Sequence, residues 1–284
     1  MDMDQIKTFV SVASNGSFQE AAKWLHVTQS TVSARIQKLE STLRTTLFVR
    51  NRSGAQLTAN GRQFLRHAKT LMLTLDQARY DIGLPDRFTG SIRIGARIAL
   101  WEELLPKWLG QMRTEIPDYS FHCDIGFEED LMRRLKEGTL DIGLMYTPHH
   151  GQGLNIVHLF DETLALYTTE LDKPWPDDNY VYVDWGPDFY ARHNNSYPDL
   201  ERPAQVVNIG WLAVQLIMAN RGSCFLPTRM ANPLVKSKKL FPIIGSLEFK
   251  LPAYLVYRQT IDKAVLSKLL TSLSNFTNKI GCGF

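Results

Sequence analysis

Gln29, Ser30, Ser33, Arg35, Gln37 and Lys38 crowd hydrogen-bonding and cationic side chains into ten residues. A glutamine amide matches adenine N6 and N7, serine hydroxyls meet several base edges, and arginine or lysine meets guanine O6 and N7 or a phosphate. The chemistry open to this set is recognition of nucleotide edges, with no bond made or broken. An amphipathic helix with its polar face in water is the alternative.

Two short helices and a tight turn must position these residues. Ser17 opens the first with the spacing of a capping box, its hydroxyl facing the Glu20 N–H and the Glu20 carboxylate reaching back. Phe18, Ala21, Ala22 and Leu25 then fall at helical spacing and form its inner face. Thr28 is the natural N-cap of the second helix, which runs to about Leu43. Its Val32, Ile36, Leu39 and Leu43 recur at steps of four and three and face inward, leaving the polar set outside.

Three neighbouring features favour the nucleotide reading. Residues 1–69 hold ten Lys or Arg against four acids, a net +6, while the whole chain carries only +3. A basic head on a mildly acidic body is the footprint of phosphate neutralisation. Leu47–Arg50 and Gln56–Thr58 flank a turn at 51–55 and read as a β-hairpin, with Arg50 and Arg52 placed for phosphates or a narrow minor groove. A solvated loop is the alternative there. Finally, Phe64, Ala68, Leu71, Leu75, Ala78 and Ile82 repeat at steps of four and three between Thr58 and about Leu84. That seam predicts a helix of about 37 Å, too long and too narrowly striped for a small core, and implies a second copy of the chain.

The N-terminal part resembles the winged helix-turn-helix of the LysR-type transcriptional regulators. The resemblance rests on Phe9, Gly16-Ser17-Phe18, Ala21-Ala22, Leu25, Val27, Gln29, Val32-Ser33, Ile36, Leu39-Glu40, Leu47-Phe48, Arg50, Leu57-Thr58 and Gly61. It implies that the second helix docks in a major groove with Gln29, Ser30, Thr31, Ser33 and Arg35 near bases and phosphates. The caps Ser17 and Thr28, together with Lys38, Arg50 and Arg52, complete the expected DNA-binding set. The sequence departs from the family at Arg44, where a helix-ending glycine is usual, and at Ser30, often proline. Arg44 fits if its backbone avoids positive φ.

Beyond Pro85-Asp86-Arg87, strand-like and helix-like segments alternate, which predicts parallel sheets with helices on their faces. Strands are expected at 91–95, 119–125, 141–145, 163–167, 180–183, 206–208 and 223–226. Helices are expected at 101–115 with a restart at Pro106, at 130–137, 211–219 and about 261–278. The order resembles the LysR-type effector module, itself similar to periplasmic binding proteins. The expected fold is thus α+β multidomain: a winged helix-turn-helix (1–58), a linker and dimerisation helix (59–87) and a two-subdomain α/β effector module (88–284). Subdomain I would hold about 88–161 and 258–284 and subdomain II about 162–257, crossing near Phe160-Asp161 and Tyr257-Arg258.

Ligands of open α/β sheets sit beyond the carboxyl ends of the strands. That rule converges the 96–101 strand exit, Tyr146-Thr147 and the 208–211 turn on one cleft, with Arg97, Ala99, Leu100, Trp101, Tyr146, Asn208, Ile209 and Trp211 as effector-binding candidates. Arg97 beside helix amides favours a small anionic metabolite, unless it pairs with Glu102 or Glu128. The aromatics would enclose an apolar body, or else belong to the core. The hydroxyl that the family often carries at the first strand exit is missing from Ala96, Ile98 and Ala99.

Other features point away from chemistry. His149-His150 lacks cysteine or carboxylate partners at metal-site spacing, so no metal is expected, and no cofactor. Cys123, Cys224 and Cys282 are odd in number and far apart, as free thiols are. No nucleophile elbow, phosphate loop or dinucleotide fingerprint marks an enzyme. The acidic start and the lack of a long apolar run predict a cytoplasmic protein off the membrane. Expected partners are double-stranded DNA, a second copy pairing into a homodimer and dimer of dimers, the metabolite, and RNA polymerase. A constitutive architectural DNA-binding repressor without an effector is the alternative. The run Trp185–Phe189 resembles a LysR-type subgroup that represses flagellar master genes.

Overall fold

The computed structural model describes the chain apart from residues 52–53, 173, 260 and 282–284 and the side chains at 50, 51, 81 and 278–281. Arg52, Cys282 and the side chain of Arg50 therefore lie outside the described residues. Two compact units divide the chain, Met1–Pro85 and Asp86–Phe284.

In the first unit, α1 (Met3–Asn15) opens on a capping box: the Asp2 carboxylate accepts from the Gln5 N–H at 2.9 Å and the Gln5 side chain faces the Asp2 N–H. Helix α2 (Phe18–Trp24) carries only half of the box expected for it. Ser17 accepts from the Glu20 N–H at 3.3 Å, but the Glu20 carboxylate takes Lys23 at 2.8 Å, the cation one turn along the same face. Helix α3 (Gln29–Leu43) is capped by Thr28, which accepts from the Thr31 N–H at 3.2 Å. Val32, Ile36 and Leu39 are buried, as their spacing requires.

Arg44 does not avoid the left-handed region: it ends α3 at φ +51°. The conformation lets the Arg44 and Thr45 N–H groups close on the Glu40 carbonyl, as a glycine would. A side chain there costs about 1 kcal/mol. Arg44→Gly is expected to raise stability by no more than about 0.5 kcal/mol in urea denaturation, after the added freedom of the unfolded chain is subtracted. A loss of stability would show that the arginine side chain holds the turn.

Strands β1 (Phe48–Asn51) and β2 (Gly54–Leu57) pair antiparallel, Phe48 opposite Leu57 and Asn51 opposite Gly54. The connection is thus tighter than the five-residue turn read from the sequence. Gly54, at φ +119°, leans on the Gly16 carbonyl, which also accepts from the Ala55 N–H at 2.7 Å. At the base, Glu40 accepts from the N–H groups of Leu47 (2.6 Å) and Phe48 (3.1 Å). Helix α4 (Ala59–Ile82) follows, and Gly61 is required there because a Cβ would strike the Leu47 carbonyl. The seam of α4 splits. Phe64 and Ala68 join a core in which the Phe9 ring lies 4.9 Å from Phe64 and 5.2 Å from Phe48. Leu71 and Ile82 stay exposed, at 40% and 86%.

The second unit runs β3 (Gly90–Ala96), α5 (Ile98–Trp101), α6 (Leu105–Glu115), β4 (Tyr119–Ile125), α7 (Glu128–Glu137), β5 (Ile142–Met145) and β6 (Leu154–Thr168). It continues with β7 (Val181–Val183), α8 (Pro187–Ser196), β8 (Gln205–Val207), α9 (Gly210–Asn220), β9 (Ser223–Pro227), α10 (Thr228–Lys236), β10 (Phe241–Pro242), β11 (Phe249–Arg258) and α11 (Lys263–Gly281). The main sheet is ordered β10-β6-β11-β5-β3-β4, with β9 also on β6, and β7 and β8 form a parallel pair. Among the described residues β3 pairs parallel with β4 and with β5, and the other pairings of this sheet are antiparallel. The expected pair of parallel sheets gives way to one mixed sheet, because β6 and β11 are long enough to run antiparallel from one half to the other. The register of the β6–β11 pairing shifts between Ala253 and Tyr254.

Helices α1, α5, α8 and α10 escaped the sequence reading. Helix α8 begins at Pro187, where Gly186-Pro187 reads as a turn, and ends in weak helix formers; α10 contains Pro233. The helix expected from Trp101 instead breaks at Glu102–Leu104, with Glu103 at φ +60°, and restarts with Pro106 in its first turn.

Rings of Tyr180, Tyr182, Phe189, His193, Phe225 and Phe249 fill the β7–β9 half. His193 is buried, its Nε2 2.8 Å from the Tyr180 hydroxyl, and burial lowers its pKa below the ordinary 6.5. The unfolded chain therefore binds the proton first. Stability is whole above pH 6.5 and falls as the pH drops through that value. His193→Phe is expected to flatten this part of the profile in denaturation at stepped pH; an unchanged slope would assign it to other groups.

Candidate functional site

The exposed end of α3 is the first candidate. Gln29, Ser30, Gln37 and Lys38 are exposed, and Thr31, Ser33 and Arg35 are half-buried. The Thr28 hydroxyl lies 2.8 Å from those of both Ser30 and Thr31, so the cap organises its neighbours as one hydroxyl cluster. Arg35 is held from α1, its guanidinium donating to Asp4 at 2.8 Å and to the Thr8 hydroxyl at 3.4 Å. Ser17 is half-buried and engaged with the Glu20 N–H. Together these groups form a polar, cationic ridge on an apolar base. Asp4 and Trp24 were not among the residues picked out from the sequence. Asp4 lies too far along the chain from Arg35 for any local pattern to pair them. Trp24, at 71% exposure, was legible, since it falls off the Phe18–Leu25 stripe.

The second candidate lies beyond the strand ends of the larger unit. Arg97, after β3, is buried; it donates to Glu128 at 3.2 Å and to the Asn208 carbonyl at 3.2 Å, and stacks over the Phe127 ring at 4.5 Å. The β3 exit and the β8–α9 turn therefore meet, and of the two carboxylates that the sequence offered Arg97, Glu128 is the partner. Beside them, Glu162 accepts from Arg229 at 2.5 Å and from the Tyr146 hydroxyl at 3.3 Å. Arg229 also donates to the Ala99 carbonyl at 2.8 Å and to that of Glu102. Burial, then the Glu162 charge, raises the Tyr146 pKa well above 10, so its phenol donates.

Arg97, Ala99 through its backbone, Tyr146 and Asn208 thus come together. Leu100 is wholly in the core, and Trp101 turns to β4, its indole N–H donating to the Asp124 carbonyl at 2.9 Å. Ile209 is half-buried and Trp211 stands 54% exposed on the first turn of α9. Glu162 and Arg229 were missed. Glu162 sits in a strand pattern that shows no charge partner, and Arg229 on a helix that the sequence did not reveal.

The remaining features are structural. Among the described residues no group of three His, Cys, Asp or Glu is placed to hold a metal, and His149 lies 3.3 Å from the Lys136 ammonium. Burial raises the thiol pKa of both Cys123 and Cys224. Trp185 donates to the Phe225 carbonyl at 3.0 Å and Phe189 is fully buried, so the two aromatic ends of the Trp185–Phe189 run pack the core while Pro187 and Asp188 stay exposed. Among the described residues no helix is long and apolar enough to cross a membrane.

Residues 3–62 match the bacterial regulatory helix-turn-helix protein, lysR family, and residues 85–172 match the LysR substrate binding domain. Over 277 residues the chain is 32% identical to the HTH-type transcriptional regulators HdfR of Escherichia fergusonii and Escherichia coli, covering 96% of this chain and 98% of theirs. The chain belongs to the LysR family. As a LysR-type protein it is a DNA-binding transcriptional regulator and not an enzyme, with a helix-turn-helix head and an α/β substrate-binding domain. The fold agrees with that of full-length CbnR complexed with its target DNA, at TM-score 0.71 and 22% identity over 97% of this chain and 99% of that one. It also agrees with LysG from Corynebacterium glutamicum with bound effector Arg, at TM-score 0.52 and 16% identity over 98% and 99%.

Proposed function

We propose that this LysR-type regulator acts as a homodimer, pairing again into a dimer of dimers, whose α3 helices read operator half-sites in adjacent major grooves and bend the DNA between them. Residues 1–58 serve DNA reading, 59–87 dimerisation and 88–284 the response to an effector. The observation that carries this reading is the sidedness of α3: Gln29, Ser30 and Lys38 are exposed while Val32, Ile36 and Leu39 are sealed in the core. Gln29, Ser30, Thr31 and Ser33 face bases; Arg35, Lys38, Arg50, Arg52 and the caps Ser17 and Thr28 lie along the backbone. The protein works in the cytoplasm and contacts RNA polymerase at its promoters. The likeness of Trp185–Phe189 to repressors of flagellar master genes makes those promoters the first operators to test.

On an operator selected from random duplexes, Gln29→Ala is expected to cost about 1–3 kcal/mol and to relax preference at one base pair, whereas Lys38→Ala weakens all sequences alike and reduces the salt slope by about one. Equal losses on every sequence for both variants would contradict base reading by Gln29.

In the cleft, Arg97, Ala99, Tyr146 and Asn208, with Ile209 and Trp211 on the adjoining β8–α9 turn, surround the effector site of the proposal, and a small anionic metabolite would compete with Glu128 for Arg97; Leu100 and Trp101, expected there from the sequence, are taken by the core and by β4. A second reading has its own support. Both cleft arginines are already neutralised, Arg97 by Glu128 and Arg229 by Glu162, as a constitutive DNA-binding repressor without an effector requires. Thermal-shift titration with small carboxylates separates the two, since stabilisation that grows with concentration and vanishes in Arg97→Ala supports the effector.

A further inference from the structure

Asp2, Asp4, Arg35 and Lys38 border one groove between the start of α1 and α3. The two acids do different things there. Asp2 is spent on capping α1, its carboxylate accepting from the Gln5 N–H at 2.9 Å and from the Gln5 side-chain amide at 2.6 Å. Asp4 turns to α3 instead, and its Oδ2 accepts from Nη2 of Arg35 at 2.8 Å. Nη1 of the same guanidinium donates to the Thr8 hydroxyl at 3.4 Å. Thr8 is fully buried, and its hydroxyl donates to the Asp4 carbonyl at 2.6 Å, so its oxygen stays turned to the arginine. Both ends of the guanidinium are therefore held from α1.

The side chain of Asp4 is 63% exposed and that of Arg35 28%. An ion pair this open to water contributes little to stability, so holding the fold together does not account for it. Its effect on charge is larger. A guanidinium that already faces a carboxylate has little net charge to give a phosphate and releases few counterions from DNA. Its direction is also set before a duplex arrives, which favours the one register that fits it. An arginine without that restraint could turn to any phosphate within reach. Lys38, exposed on the same groove, has no such acid and remains the sequence-blind cation.

We propose that Asp4 is a specificity-determining residue that acts through Arg35: by holding the guanidinium against α1 it withholds one cation from arbitrary DNA and leaves discrimination to Gln29 and its neighbours. The inference rests on the reading that the exposed face of α3 lies on DNA.

The test titrates the full chain, by fluorescence anisotropy over a series of salt concentrations, with the selected operator and with a mixed-sequence duplex of equal length. Asp4→Asn keeps the shape and removes the charge. It is expected to bind the mixed duplex about fivefold more tightly near about 0.15 M salt and to steepen its salt slope by about 0.9, the release of one counterion. Operator affinity changes by less than about twofold, because the added charge is offset by lost alignment, and the preference for operator falls. Asp4→Glu keeps the preference, and in an Arg35→Ala background Asp4→Asn leaves the slope where it was. An unchanged slope in Asp4→Asn, an equal steepening without Arg35, or a lowered Tm with equal weakening on both duplexes overturns the proposal. Lys38→Ala separates the two levels of the argument: if it lowers the slope while Asp4→Asn does not move it, only the role of Asp4 falls, and if neither variant moves it, the placement of α3 on DNA falls as well.

Discussion

Replacing Leu71 and Leu75 by aspartate is expected to leave a monomer that binds operator DNA at least about 100-fold more weakly. Helix α4 has 24 residues and spans about 36 Å at ~1.5 Å per residue, far more than its own unit covers. Its first turns are fastened by Gly61, Phe64 and Ala68, while Leu71 and Ile82 of the same seam stay exposed beyond them. A narrow apolar stripe of that length is stable in water only against another such stripe, and in the proposed dimer twofold symmetry would supply one. Two aspartates per chain would set four carboxylates along the seam. Separated heads then bind half-sites singly and lose the effective concentration that joins them. Sedimentation velocity reads the assembly and operator titration reads the affinity. Persistent dimers would place the principal interface elsewhere.

The second large effect is expected at Glu162. Glu162→Ala leaves the Arg229 guanidinium buried without its counter-charge and should destabilise the larger unit by about 3–5 kcal/mol in urea denaturation. The two carbonyls that Arg229 also reaches hold its orientation but do not neutralise it. Glu162→Leu combined with Arg229→Met removes both charges and should recover most of the loss, because well-packed apolar side chains of similar volume often match a buried pair. The double substitution thus separates the cost of an orphaned charge from the worth of the pair. A loss below about 1 kcal/mol in Glu162→Ala would mean that water reaches the guanidinium.

Much of the helix-turn-helix was legible because its signals are short-range. Caps act over three residues and the apolar stripe over three or four, so Thr28, Val32, Ile36 and Leu39 announce α3 and its inner face directly. The Ser17 box half-failed for an equally local reason, the presence of Lys23 one turn on. Arg44 departs from its expectation because two hydrogen bonds to Glu40 and Ser41 hold the backbone at positive φ against the side-chain cost. In the larger unit, strands with alternating or continuous apolar runs could be read, whereas α8 and α10 were hidden by Pro187 and Pro233.

Taken alone, the sequence determined the basic head, the faces of α2 and α3, the hairpin, the long helix and the alternation that follows. Each of these is written within one or two turns of chain. Only the tertiary structure decided which side chains share a site. Arg35 is steered by Asp4, 31 residues away, Arg97 by Glu128, also 31 away, and Arg229 by Glu162, 67 away. Whether Trp101 lines the cleft or turns to β4 likewise depends on where the sheet places Asp124. Charge pairing and burial act through space, and the separations that set them are fixed by strand order and register, which no local pattern of residues encodes.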